Sequence, residues 1–300
     1  MIYDRNIAND ANIDPSKIAG GFGMGKTFFV LKTSSSLYRD FANSKASGTV
    51  FATITAALGA CVASRGDRIY VLPGHTETVT AAITVSKAGV SIIGLGNGLL
   101  RPQITGNGTI DAINVTGANV TIENIGFPAP ETTAQTSDIN VAAAGCTIRN
   151  TSHIGSQTSK VKTDTITVAS GGDDVTIEDV EIYNTVVDAV SAISLEAAVA
   201  RAKIRRNTIM GTYTTANIMD EATATLAMVR DNALKNTKTT GAVMNFTNNS
   251  TGMCRYNHLS GRNTTLASNL VAGSGMDFFE NRIAEEAALN GAVIPVADTE

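Results

Sequence analysis

The sequence predicts an all-β fold, a parallel β-helix (solenoid) with an N-terminal capping helix and an extended N-terminal arm. A degenerate repeat is the first observation. An apolar residue, four mostly polar residues and a second apolar residue recur at Ile122…Phe127, Ile148…His153, Ile177…Ile182, Ile204…Ile209, Val229…Leu234, Cys254…Leu259 and Phe278…Ile283. Their first positions lie 26, 29, 27, 25, 25 and 24 residues apart. That period suits a coil of about three short strands and three turns and is too long for a hexapeptide solenoid. β-branched residues and Asn fill it where a helical repeat would need Ala, Leu and Glu. Only His153 breaks the apolar pattern. The second observation is a column of Asn207, Asn232, Asn257 and Asn281, each three residues after the first apolar position of its copy. A side-chain amide carries both donor and acceptor, so stacked rungs can bond one another, and Asn tolerates the left-handed backbone of sharp turns. Composition is the third: 300 residues, 43% apolar but only 5% aromatic and without Trp, fit one elongated domain with a narrow, continuous core.

From the N-terminus, residues 1–27 are rich in Gly, Asn and Asp and read as an arm, the first part of an arm and lead-in segment spanning 1–48. A short strand is expected at the apolar run Phe28, Phe29, Val30, Leu31. Over residues 49–65, Val50, Ile54, Ala57, Leu58 and Cys61 recur at three- and four-residue steps, one face of an amphipathic helix ending near Arg65 and Gly66. A helix there covers the open end of a solenoid, whose unpaired edges otherwise invite aggregation. The β-helix itself is expected over 66–283. Residues 284–300 form a C-terminal tail whose Ala284-Glu285-Glu286-Ala287-Ala288-Leu289 run reads as a short closing helix.

The stretch Gly66-Asp67-Arg68-Ile69-Tyr70-Val71-Leu72-Pro73-Gly74-His75-Thr76-Glu77, with Thr53, Ile54 and Ala57 before it, resembles the cap and first strand of the pectate-lyase-like superfamily. The phrases Val90-Ser91-Ile92-Ile93-Gly94 and Val120-Thr121-Ile122-Glu123-Asn124 extend the likeness loosely. The resemblance implies a right-handed coil. It implies no single function, since that superfamily holds lyases, hydrolases, epimerases, adhesins and virion proteins. The layout of residues 20–150, from Gly25-Lys26-Thr27-Phe28-Phe29-Val30 to Arg101-Pro102, is similar to a group of phage-encoded β-helix proteins read as virion structural or head decoration proteins. That likeness supplies a role and no catalytic residue.

The motifs that could carry chemistry are few. Gly20 to Thr27 matches G-x-x-x-x-G-K-[ST], yet a phosphate-binding loop needs a buried strand before it and a helix after it. Here a polar, Pro15-containing stretch precedes and an apolar run follows, so nucleotide binding is not expected. Asp111, Asp138, Asp164 and Asp188, spaced 27, 26 and 24 apart, each open an alternating strand and suggest a column of stacked acids. Such a column would suit a glycosidase pair or a hard cation. The simpler expectation is that each Asp caps the turn before its strand. His75, His153 and His258 are expected in turns or at the surface. Arg205 and Arg206 offer a lyase-like base without acids assignable around it. Cys61, Cys146 and Cys254 lack metal spacing; Cys146 and Cys254 fall at apolar strand positions, so buried thiols are expected and a disulfide or zinc is not.

The net charge of −4 and the lack of a basic run argue against nucleic acid. No stretch is apolar for long enough to span a membrane, and no secretion signal is apparent, so synthesis in a host cytoplasm is expected. The expectation is a non-enzymatic phage virion protein without cofactor or metal: a trimeric capsid decoration (cement) protein on the capsid surface, stabilising the head, with the major capsid protein and its own copies as partners. The alternative is a tailspike-like protein that binds or degrades a host glycan.

Overall fold

The computed structural model describes residues 25–34, 38–131, 134–155, 160–263, 266–273, 275–285 and 292–294. These form a parallel β-solenoid of about eight turns. Three columns of inward residues build its core, one per face. On the first face Phe28, Ile69, Ile92, Ile122, Ile148, Ile177, Ile204, Val229, Cys254 and Phe278 stack in register. On the second, Phe127, His153, Ile182, Ile209, Leu234, Leu259 and Ile283 do so. On the third the column is Ile83, Ile113, Ile139, Ile166, Ile193, Ile218, Met244 and Leu270. Side chains alternate across a strand, so each strand sends its β-branched residues inward and its polar ones out. Successive coils bury what a single coil could not. The repeat copies thus place their first residue on face one and their second on face two. The strands Glu181–Leu195 and Thr208–Asp220 bend without a break from the second face to the third.

The corner between faces one and two has a fixed backbone. Asn124, Asn150, Asp179, Arg206, Asp231, Tyr256 and Glu280 all take a left-handed conformation, with φ between 51° and 57°. From Asn124 to Asp231 each of these amides donates to a carbonyl on the next coil, as Arg206 does to Arg230 at 3.2 Å. A non-glycine residue costs roughly 1–2 kcal/mol in this conformation, and the inter-coil bond offsets part of that.

The capping helix is shorter than the periodicity predicts. It spans Ile54–Ala60, with the Thr53 hydroxyl accepting from the Ala56 amide, and buries Ile54, Ala57 and Leu58 against the first coils. Val50 and Phe51 instead form a strand beside Phe29 and Val30. Two β-branched or aromatic residues ahead of a Thr cap favour extension. The strand Thr27–Val30 pairs in parallel with Arg68–Val71, so the shaft takes in residues from Thr27 onward; residues 1–24 of the expected arm lie outside the described residues. At the other end Ala284 and Glu285 belong to the strand Asn281–Glu285 and not to a helix. Ala292–Ile294 runs antiparallel to that strand, and residues 286–291 and 295–300 lie outside the described residues.

Candidate functional site

The asparagine column is continuous. Asn207 Nδ2 donates to Asn232 Oδ1 at 3.0 Å, Asn232 to Asn257 at 2.9 Å and Asn257 to Asn281 at 2.8 Å. Each Oδ1 also accepts the main-chain amide of the residue one coil below, Val180 for Asn207 and the preceding Asn for the rest. The second Nδ2 proton reaches a buried carbonyl, that of Ile177, Ile204, Val229 or Cys254. The side-chain amides of Asn207, Asn232 and Asn257 thus each use both protons and the oxygen, which is the condition for burying polar groups without penalty. The four side chains are enclosed, so the column holds the corner and meets no ligand.

A second polar feature lies where the apolar repeat fails. His153 points into the core, stacked on Phe127 with ring centroids 4.7 Å apart. Its Nδ1 lies 2.9 Å from Asp138 Oδ2, and its Nε2 lies 2.9 Å from the Thr151 hydroxyl. The same Asp138 oxygen accepts from Lys162 Nζ at 2.6 Å, and Lys162 also donates to the Ile154 carbonyl. Gln135 donates to Asp138 Oδ1 at 3.0 Å. The partners fix the tautomer: Nδ1–H donates to the carboxylate, and Nε2 accepts from the hydroxyl. Burial holds His153 below its ordinary pKa despite the Asp138 carboxylate, which pulls the other way. Burial likewise lowers Lys162, again opposed by Asp138. The order hydroxyl, imidazole, carboxylate is that of a nucleophile relay. Thr151, His153 and Asp138 are at most 1% exposed, however, so no substrate reaches the hydroxyl and the relay serves as a buried polar clasp. The expectation that His153 sits in a turn or at the surface is overturned, since it is buried in a strand, whereas His75 closes the Leu72–His75 turn as expected, its amide donating to the Leu72 carbonyl, but is buried there. His153 takes the inward place that the repeat assigns to an apolar residue. His258 is exposed.

The acid column predicted from spacing is also corrected. The register stacks Asp111, Ser137, Asp164 and Ser191, so acids alternate with serines. Ser137 Oγ donates to Asp111 at 2.8 Å and Ser191 Oγ to Asp164 at 2.6 Å. Asp138 falls one residue out of that register and joins the internal relay; a one-residue slip moves a side chain to the opposite face. Asp188 lies outside the column, and its side chain is outside the described residues. Burial, with help from Glu221, raises the Asp164 carboxyl to about 6. Glu196 is raised by burial and by the nearby carboxylates of Asp164, Glu221 and Asp111. Among the described residues no group of three His, Cys, Asp or Glu side chains is placed to hold a metal ion.

The remaining candidates resolve into structure. Arg205 pairs with Glu178 at 2.8 Å, and Arg206 bridges Glu178 and Asp179, so neither is poised over a groove as a free base. Gly20 to Met24 lie outside the described residues, while Gly25 packs so tightly on Gly66 that a Cβ would sit 1.9 Å from its carbonyl oxygen. The Lys26 amide donates to Asp67 at 2.7 Å. Asp67 also receives the Val62 amide and both Arg65 contacts. These donors outweigh its burial and hold its carboxyl below the usual range. The Gly-Lys-Thr end of the loop-like motif thus fastens the lead-in strand to the first coil. Cys61, Cys146 and Cys254 are buried and free.

One open feature faces solvent on face two: a cleft of about 400 Å³ lined by Leu99, Arg101, Gln103, Phe127, Ile154 and Glu181 among others. Sequence patterning gave no sign of it, because Leu99 and Leu100 come from a corner and Ile154 from an outward strand position. The chain matches no protein family model and no curated protein.

Proposed function

We propose that this chain is a non-enzymatic structural protein of a phage virion, a trimeric decoration or cement protein that stabilises the capsid. One observation carries the reading: the described set that most resembles a catalytic relay is enclosed in the solenoid and bonded to itself. Asp138, His153 and Lys162 face inward, and Arg205 and Arg206 are neutralised by Glu178 and Asp179. Rigidity is what such an interior provides. The likeness of residues 20–150 to phage head proteins supplies the setting. A rigid shaft acts by burying surface across capsomer boundaries, stabilising the expanded shell by mass action. Because the lead-in strand starts at Thr27, an arm that attaches to the capsid comprises at most residues 1–24.

The test is co-sedimentation of the purified protein with expanded heads that lack it. Saturation at a fixed number of copies per capsid is expected, and loss of attachment with a folded shaft on deletion of residues 1–24. A folded protein that fails to bind, yet releases reducing ends from host polysaccharide, overturns the reading in favour of a tailspike-like role.

A further inference from the structure

The geometry points to a covalent modification inside the shaft: Lys162 and Asp138 condense into an isopeptide bond that staples two neighbouring coils. The two side chains are each 1% exposed and meet at 2.6 Å. Lys162 Nζ also donates to the Ile154 carbonyl at 2.9 Å, so a second bond holds it beside the carboxyl. Bulk water, which would otherwise hydrate both groups, is shut out. Burial penalises both ions. A proton passing along their hydrogen bond leaves a neutral amine beside a neutral acid, the pair that amide formation requires.

The groups around the carboxyl meet the demands of that reaction. Addition of Nζ to Cγ moves the carbonyl electron pair onto Oδ1, where Gln135 Nε2–H donates at 3.0 Å. A fixed donor at the developing oxyanion is a large aid to acyl transfer. Gln135 is fixed, because its Nε2 also donates to the Ser137 carbonyl at 2.7 Å and its amide packs on Gly106, where an added Cβ would lie 2.5 Å from it. At the other oxygen, His153 Nδ1 lies 2.9 Å from Oδ2 and gives up its proton as the Cγ–Oδ2 bond breaks. Oδ2 leaves as water, and the proton shed by Nζ restores the imidazole. One C–N bond forms, one C–O bond breaks, and no oxidant or cofactor is consumed. The relay of Thr151, His153 and Asp138 thus ends on its own substrate, the Asp138 carboxyl, and the nucleophile is Lys162.

The bond ties the strand Ser137–Val141 to the strand Val161–Lys162 and closes the loop between them. The chain folds with the pair ionised, and condensation follows slowly within the folded shaft. Stability differences between freshly folded variants therefore report the ionic clasp alone. The inference does not depend on the capsid reading.

The test is the intact mass of the full chain, followed over days after folding, with tandem mass spectrometry of a protease digest and circular dichroism to verify folding. The wild type is expected to become lighter by one water molecule and to yield a branched peptide joining the segments that carry Asp138 and Lys162. Lys162→Met, and wild-type chain kept in denaturant, should hold their full mass. Gln135→Leu should convert roughly a hundredfold more slowly. A folded wild type that keeps its full mass and yields no branched peptide overturns the inference, as does a water loss mapped to any other pair or one that proceeds equally in denaturant. Equal rates in wild type and Gln135→Leu overturn the role given to Gln135. None of these outcomes touches attachment to heads, which is read separately.

Discussion

The middle and the C-terminal parts of the shaft bury polar groups in opposite ways. Around Asp138, His153 and Lys162 the interior holds ions, each needing a partner of the other kind. From Asn207 to Asn281 it holds neutral amides, each equivalent to the next. An amide offers a donor and an acceptor, so a column of them is satisfied by repetition. A carboxylate offers acceptors alone and an ammonium donors alone, so repetition would set like charges together. The ionic clasp therefore occurs as a single set, whereas the amide ladder runs through consecutive coils. Buried ions fix one arrangement at a high cost of error, while the ladder spreads small gains over many coils.

The largest effect should come from breaking the clasp at its shared oxygen. Asp138→Ala leaves the buried Lys162 without its counter-charge and should cost about 3–5 kcal/mol, read as a lower denaturant midpoint. Adding Lys162→Met removes the stranded charge and should recover most of that loss. A single variant within about 1 kcal/mol of wild type would place the clasp in the same class as the ladder.

Asp164 comes next, with the opposite sign. Its folded-state carboxyl is raised from 3.8 to about 6, so the stability it contributes is present below pH 3.8 and lost as pH rises through 6. Asp164→Asn keeps an oxygen for Ser191 and should stabilise the protein at pH 7.5 by up to about 3 kcal/mol. The gain should vanish by about pH 4; a gain independent of pH would assign it to packing. In that variant His153 contributes with the opposite sign to the raised carboxyls. Its folded-state pKa is depressed below 6.5, so stability should fall as pH drops below about 6.5, and a flat profile there would contradict a neutral buried imidazole.

The ladder should respond less, and unevenly. Asn232→Ala removes a rung that both accepts from Asn207 and donates to Asn257, for about 1–3 kcal/mol. Asn207→Ala should cost less, about 1 kcal/mol, because its oxygen accepts only the Val180 amide. Equal losses at the two rungs, measured by thermal unfolding, would mean that the column does not act through its neighbours.

The same contrast explains what was legible in the sequence. The repeat and the Asn column could be read because residues in register on one face recur at one coil length. The acids could not, because Asp111, Asp138 and Asp164 look equally spaced while the register runs through Ser137. His153 announced an anomaly by standing where Ile belongs. Its partners gave no signal: Lys162 comes from a short strand paired with Ala134–Gln135, outside the repeat unit. The helix was overextended because Val50 fits the helical step as well as it fits a strand.

The uniform corner between faces one and two makes the molecule a ruler. Each graduation is one residue at positive φ followed by a short strand, and its backbone bonds reach only the neighbouring coil. Duplicating a single coil, residues 229–253, should therefore move the two ends apart by about 4.8 Å and leave the cross-section unchanged. Length in this chain is counted in coils, so reach can change in equal steps without redesign of either end.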